Sequence, residues 1–106
     1  MRHGDLITKD PDSVEPYGFD WTSYLADFGA EAEIDTSEWI ITPLNGESPS
    51  TLTIDDESIE AGNLKTQAYF TGGTQGAIYR VTNRIVTNTA VTVTDDRSVT
   101  MKVAHK

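Results

Sequence analysis

Gly72-Gly73-Thr74-Gln75-Gly76-Ala77-Ile78-Tyr79-Arg80-Val81-Thr82-Asn83-Arg84-Ile85 is the stretch that decides how this chain folds. Its glycines suit a tight corner, where positive φ carries no Cβ penalty. Strict alternation follows. Ala77, Tyr79, Val81, Asn83 and Ile85 share one parity, while Ile78, Arg80, Thr82 and Arg84 share the other. Successive side chains of a strand point to opposite faces, so the first set reads as core-facing and the second as mostly solvent-facing. A phosphate-cradling loop needs glycines that lead into a helix N-terminus. Here a strand follows, and Gly72, Gly73 and Gly76 read as structural. Tyr79 stands just after the turn and two residues before the inward Val81. That is the placement of a tyrosine corner, in which the hydroxyl bonds a backbone carbonyl a few residues upstream.

Working outward, Val91 and Val93 alternate, Asp95-Asp96 interrupts, and Val99, Met101 and Val103 resume. Asp95 and Arg97 fall on the core parity, which predicts a bulge or break at Thr94-Asp95-Asp96. Asp96 and Arg97 lie near Arg80 and Arg84 of the preceding strand. Two readings stand: a local ion pair that pins the last turn, or Arg80 and Arg84 meeting another chain, since arginine is enriched at interfaces. Upstream, Leu64, Thr66, Ala68 and Phe70 oppose Lys65, Gln67 and Tyr69 in a further strand. Leu52 and Ile54 begin another, which Asp55-Asp56-Glu57-Ser58 bends or ends. Residues 34–42 form one with a kink at Asp35-Thr36-Ser37, stopped by Pro43 and Asn45-Gly46. Phe19 and Trp21 suit a short first strand, and residues 22–25 fit either strand or helical turn. Trp21 and Trp39 are assigned to burial rather than to sugar stacking.

The sum is about six or seven short strands with turns every 8–12 residues, an all-β sandwich. Residues 17–106 form that domain. Residues 1–16 read as an extended arm, because Asp10-Pro11-Asp12 and Glu15-Pro16 break regular structure. Such an arm orders on a partner, with Asp10, Pro11, Asp12 and Tyr17 as contact residues beside Arg80 and Arg84.

Composition narrows function. The 106 residues carry a net charge of −9, so no nucleic-acid partner is expected, because phosphate binding needs a basic face. No apolar run approaches the roughly 18 residues that span a bilayer, and the first residues lack the apolar segment of a signal peptide. Neither a membrane nor a secretory route is expected. There is no cysteine, so neither disulfides nor thiolate metal sites can form. His3 and His105 are tail residues, unable to hold catalytic geometry. The carboxylates at Asp10/Asp12, Asp55-Asp56-Glu57 and Asp95-Asp96 show no calcium-loop pattern. No catalytic residue, metal or cofactor is expected, and the chain reads as no enzyme.

Three blocks carry a family likeness. They are Lys9-Asp10-Pro11-Asp12 with Asp20-Trp21-Thr22-Ser23-Tyr24-Leu25, then Ile34-Asp35-Thr36-Ser37-Glu38-Trp39, and the opening stretch from Thr71 with Asp95-Asp96-Arg97-Ser98. In these the chain resembles the phage fiber-tail adaptor proteins, small structural proteins of tailed bacteriophages. Where members usually carry a glycine-containing hairpin, Thr89-Ala90-Val91-Thr92-Val93-Thr94 stands here. The resemblance implies a non-enzymatic immunoglobulin-like sandwich in the virion, near neck or tail, present in several copies and bridging tail or connector to a fibre. A capsid decoration protein and a carbohydrate- or host-binding module with exposed Trp21 or Trp39 are the alternatives.

Overall fold

A computed structural model describes residues 5–45, 51–60 and 62–104. His3, His105, Gly46 and the loop Glu47-Ser48-Pro49-Ser50 lie outside them. The chain forms β1 (Asp5–Lys9), β2 (Val14–Asp20), the short helix α1 (Thr22–Ala26), β3 (Ile34–Pro43), β4 (Leu52–Glu60), β5 (Lys65–Gly72), β6 (Ile78–Thr87) and β7 (Thr94–Val103). A four-stranded sheet in the order β1-β7-β6-β3 packs on a three-stranded sheet in the order β2-β5-β4. Apart from β1, this is the immunoglobulin partition: β3, β6 and β7 stand as strands C, F and G, and β2, β5 and β4 as B, E and D. β1 closes the other edge by running parallel to β7, from Asp5 opposite Val99 to Lys9 opposite Val103.

β6 supplies the axis of the core. Ala77, Tyr79, Val81, Asn83, Ile85 and Thr87 are all buried, and the intervening residues reach the surface. Its apolar side chains divide into two groups. Tyr79 and Val81 join Trp39, Leu52, Ala68, Phe70, Val99, Met101 and Val103. Ile85 joins Trp21, Leu25, Ala32 and Ile34. Between the groups lies a polar layer centred on Asn83, which is fully buried. Its Oδ1 accepts from Trp21 Nε1 at 3.0 Å and Thr66 Oγ1 at 2.6 Å, and its Nδ2 donates to Ser37 Oγ at 2.9 Å and Glu38 O at 3.2 Å. Both donors and both lone pairs of the amide are used, the condition under which a buried amide is tolerated. Trp39 stacks on Phe19 and meets Phe70 edge-on. Its indole N–H has no hydrogen-bond partner among the described residues, a local cost that its ring packing offsets.

Three expectations are corrected. Residues 5–16 do not stand apart as an arm: they supply β1 and the start of β2, each paired in a sheet. The two prolines behind that reading fit the strands, because Pro11 sits in the intervening turn and Pro16 on an edge strand, where a missing N–H is harmless. Lys9 fastens the segment. It is buried, and its Nζ donates to the carbonyls of Asp10 at 2.9 Å, Ser13 at 2.6 Å and Gly72 at 2.9 Å. Three ammonium donors thus meet three acceptors, which lets the charge lie inside. Second, β7 has no bulge at Thr94-Asp95-Asp96: its register with β6 runs without a shift from Thr94 opposite Val86 to Lys102 opposite Ile78. Arg97 keeps the core parity by lying across Trp21, 4.2 Å from the ring centre, with Nη1 donating to Asp20 O at 2.7 Å. A long stem over an aromatic face makes such a position tolerable for a cation. Third, Val91 and Val93 belong to a loop, not a strand. Thr87 N still donates to Val93 O at 2.9 Å, but Thr87 Oγ1 accepts from Val93 N at 3.1 Å and Thr89 Oγ1 donates to Val91 O at 2.6 Å, so threonine hydroxyls take up groups that a sheet ladder would otherwise pair. Of the two readings of Asp55-Asp56-Glu57-Ser58, the bend holds: β4 bulges between Ile54 and Asp56 and continues to Glu60. The kink expected near residues 35–37 is the bulge between Ile34 and Thr36, and residues 22–25 are helical.

The glycine corner joins the sheets. Gly72 and Gly73 have φ of 80° and 96°, and a Cβ on Gly73 would lie 2.6 Å from Val103 Cγ2. Beneath the corner, the Tyr79 hydroxyl accepts from Thr74 N at 3.4 Å and lies 3.3 Å from Thr51 Oγ1. Gly76 has φ of 88° and open space around its Cα. Gly73→Ala is therefore expected to destabilise by about 2–3 kcal/mol and Gly76→Ala by about 1 kcal/mol, through backbone strain with and without a clash. Asn83→Ala should lose about 3 kcal/mol, because the Trp21 and Thr66 donors are stranded in the core. Urea unfolding of the three variants checks both the size and the order.

Candidate interaction surfaces

The turn between β1 and β2 holds Asp10, Pro11 and Asp12. Asp10 Oδ1 accepts from Asp12 N at 2.8 Å, and Ser13 N donates to Asp10 O at 3.1 Å. Asp12 is exposed there and Pro11 half-buried. Tyr17 points the other way. It meets Phe19 edge-on at 5.4 Å and packs, half-buried, against the larger apolar group. Trp21 and Trp39 are both buried, and neither offers the flat exposed ring that sugar stacking requires.

Arg84 and Arg80 part company. Arg84 makes a two-pronged contact with Asp96, Nε to Oδ1 at 2.9 Å and Nη2 to Oδ2 at 3.0 Å. Asp96, through that hydrogen bond and then its charge, holds the guanidinium above its ordinary range. Both side chains remain about two-fifths exposed, 44% and 40%, so the pair adds little stability and instead fixes the Arg84 side chain. Arg80 is exposed on the same outward face, between Thr42 of β3 and Thr100 of β7. No ion pair engages it among the described residues.

The opposite end of the sandwich carries features that parity alone did not single out. The segment after α1 and the β6–β7 loop are tied together by Asn88. Its backbone N–H donates to Glu33 O at 3.0 Å, and its Oδ1 accepts from Glu33 N at 2.8 Å. An open cleft of about 470 Å³ lies there, lined by Phe28, Glu31, Ala32, Asn88 and Ala90 among others. Phe28 leads inward edge-on to Tyr24 at 5.2 Å, and Tyr24 to buried Trp21 at 5.4 Å. Phe28 is thus a half-exposed ring backed by a rigid aromatic series. Val91 is 80% exposed at the loop. In immunoglobulin variable domains, loops at this end form the recognition surface. The signal for Val91 was available in the threonines around it, which favour loop hydrogen bonds over a ladder. Among the described residues no group of three metal-ligating side chains converges.

Burial pushes the Tyr24 phenol up, with Asp95 adding to the effect. Asp20, at the entry to α1, behaves oppositely. Its carboxyl lies below its ordinary 3.8, chiefly through the Thr22 side-chain hydrogen bond and then the Thr22 backbone N–H. A depressed carboxyl stabilises the fold above its unfolded value, and that contribution is lost as pH falls through the folded one. Carbon NMR of the Asp20 carboxyl should give a midpoint below 3.8. Thr22→Ala should move it upward; an unchanged midpoint would remove the Thr22 side chain as the cause.

The sequence matches the model of the family described as podophage GP4 fiber-tail adaptor protein gp77 over residues 9–102. No individually curated protein matches it. The matched span begins at the buried Lys9 that fastens β1 and ends at Lys102 of β7. It therefore takes in β2 to β6, all but the last residue of β7, the polar layer, the glycine corner and the loop end. With the match extending over nearly the whole sandwich, this chain belongs to the podophage GP4 fiber-tail adaptor family.

Proposed function

We propose that the protein is a non-enzymatic component of the phage particle, present in several copies around the tail axis, that joins tail or neck proteins to fibres. The family match over residues 9–102 carries this reading. Its mechanism is docking. A small sandwich cross-braced by a satisfied polar layer presents loops from a stiff base, so little ordering entropy is lost on contact. The loop end suits a partner segment that brings an apolar side chain and basic groups. Val91 and Phe28 expose apolar surface there, and Asp27, Glu31, Glu33 and Asp35 surround it with carboxylates. Asp12 and Arg80 offer contacts near the other end, beside the glycine corner. A capsid decoration role would instead give a copy number that follows the capsid lattice.

Particles assembled without this protein and then supplied with it should bind it at a fixed copy number at the tail and recover fibres. Val91→Asp combined with Phe28→Ser should reduce fibre recovery at least tenfold and leave the far-ultraviolet circular dichroism of the isolated protein unchanged. Wild-type protein that binds along the capsid, or fails to bind particles, would sink the adaptor reading. Full recovery with the double variant would remove the loop end from it.

A further inference from the structure

The outward faces of the two sheets carry opposite charge beside the same end of the sandwich. On the four-stranded sheet, Leu6 lies opposite Thr100, which lies opposite Arg80, and Lys102 lies between Thr8 and Ile78. Arg80 and Lys102 are exposed diagonal neighbours, and Leu6 beside them is 63% exposed. The other cations among the described residues are engaged. Lys9 is caged by carbonyls, Lys65 lies 4.0 Å from Asp20, Arg84 holds Asp96 and Arg97 covers Trp21. Arg80 and Lys102 make no ion pair among the described residues. They form a basic spot on a chain of net charge −9.

On the three-stranded sheet, Val14 lies opposite Thr71 and Thr71 opposite Thr53, while Pro16 lies opposite Tyr69 and Tyr69 opposite Asp56. Val14 and Tyr69 are exposed apolar side chains. Asp55 and Asp56 are exposed beside them at the β4 bulge. This patch is apolar and acidic where the first is apolar and basic. Both adjoin the glycine corner, because β5 runs into Gly72 and β6 leaves it at Ile78.

We infer that these two patches are the two halves of one contact between copies of this chain: Leu6, Arg80 and Lys102 of one copy against Val14, Tyr69 and Asp56 of the next. The inference rests on the multi-copy adaptor reading and names the surfaces that the reading leaves open. Charge decides the pairing. A contact of either face with itself sets like charges together, whereas unlike faces place two unpaired cations against carboxylates. Because the patches lie on opposite sides of the sandwich, each copy has one of each, and the contact is head-to-tail. Such contacts propagate, and they close into a ring when the rotation between copies divides a full turn. The apolar residues give each patch a desolvated centre, and the charges set register and partner.

The absence of cysteine makes a trapping experiment clean. Full-length Arg80→Cys and Asp56→Cys variants are mixed in equal amounts in a glutathione redox buffer, with each variant alone as control. The expected product is the mixed disulfide dimer, at least tenfold above either like pair. A chain carrying both changes should give a ladder that ends at a discrete size. A random mixture of dimers, a predominance of like pairs, or no dimer would overturn the inference. Arg80→Glu with Lys102→Glu should weaken association at low salt at least tenfold, and Asp56→Lys in the partner copy should restore it. Association unaffected by these reversals would also overturn it. Binding of the wild-type protein to particles is scored separately: if it binds at the tail and no mixed dimer forms, the paired faces are wrong and the adaptor reading survives. If it does not bind, the adaptor reading fails whatever the trapping shows.

Discussion

The Asn83 amide is the joint on which this sandwich depends. It sits on β6 of the four-stranded sheet and accepts from Thr66 on β5 of the three-stranded one. It also accepts from Trp21, where β2 gives way to α1, and donates to Ser37 and Glu38 of β3. One side chain therefore binds both sheets and the helical connection. Apolar contacts are non-directional and tolerate sliding of one sheet over another. Four hydrogen bonds to one planar amide do not. In a core with no disulfide between the sheets, the amide fixes their relative position by geometry and excludes registers that would strand its partners.

The polar layer also explains what lies on either side of it. Towards the glycine corner, the larger apolar group is closed by Lys9 and Tyr79, which bind the backbone of turns. Towards the loop end, the smaller group around Trp21 is covered by Arg97, with Tyr24 and Phe28 carrying the aromatic series outward. Each end is thus braced from within. A loosely packed end would open more readily than one braced in this way.

Much of this was legible from alternation. The parity of β5 and β6 assigned their inward residues, since a half-buried strand has a period of two and a single register keeps apolar groups inside. The departures have separate causes, each a local rule overridden by a distant partner. Asp95 and Arg97 imply a broken strand only if the core is apolar throughout. The strand is continuous because Trp21 comes from a distant part of the chain to lie beneath Arg97. Pro11 and Pro16 imply an unpaired arm only if a ladder needs their missing N–H groups, and Lys9 fastens the segment instead through an acceptor as distant as Gly72. The loop end was hidden for a separate reason. Val91 continues the alternation of β7 in sequence, but threonine hydroxyls bond Val91 O and Val93 N in place of a neighbouring strand.

By itself the sequence determined the class of fold, the inward faces of the central strands, the need for a glycine corner and the family. These follow from local rules: side-chain period, β-branched residues, positive φ and short-range motif spacing. Only the tertiary structure decided that residues 5–16 belong to the sheets, that Arg84 is held by Asp96 while Arg80 stands exposed, and that the outward faces differ in charge. Each of these depends on which residues distant in sequence become neighbours. A buried ammonium or a stacked guanidinium is stable only in the company of particular acceptors and rings, and that company is set by the packing of the two sheets.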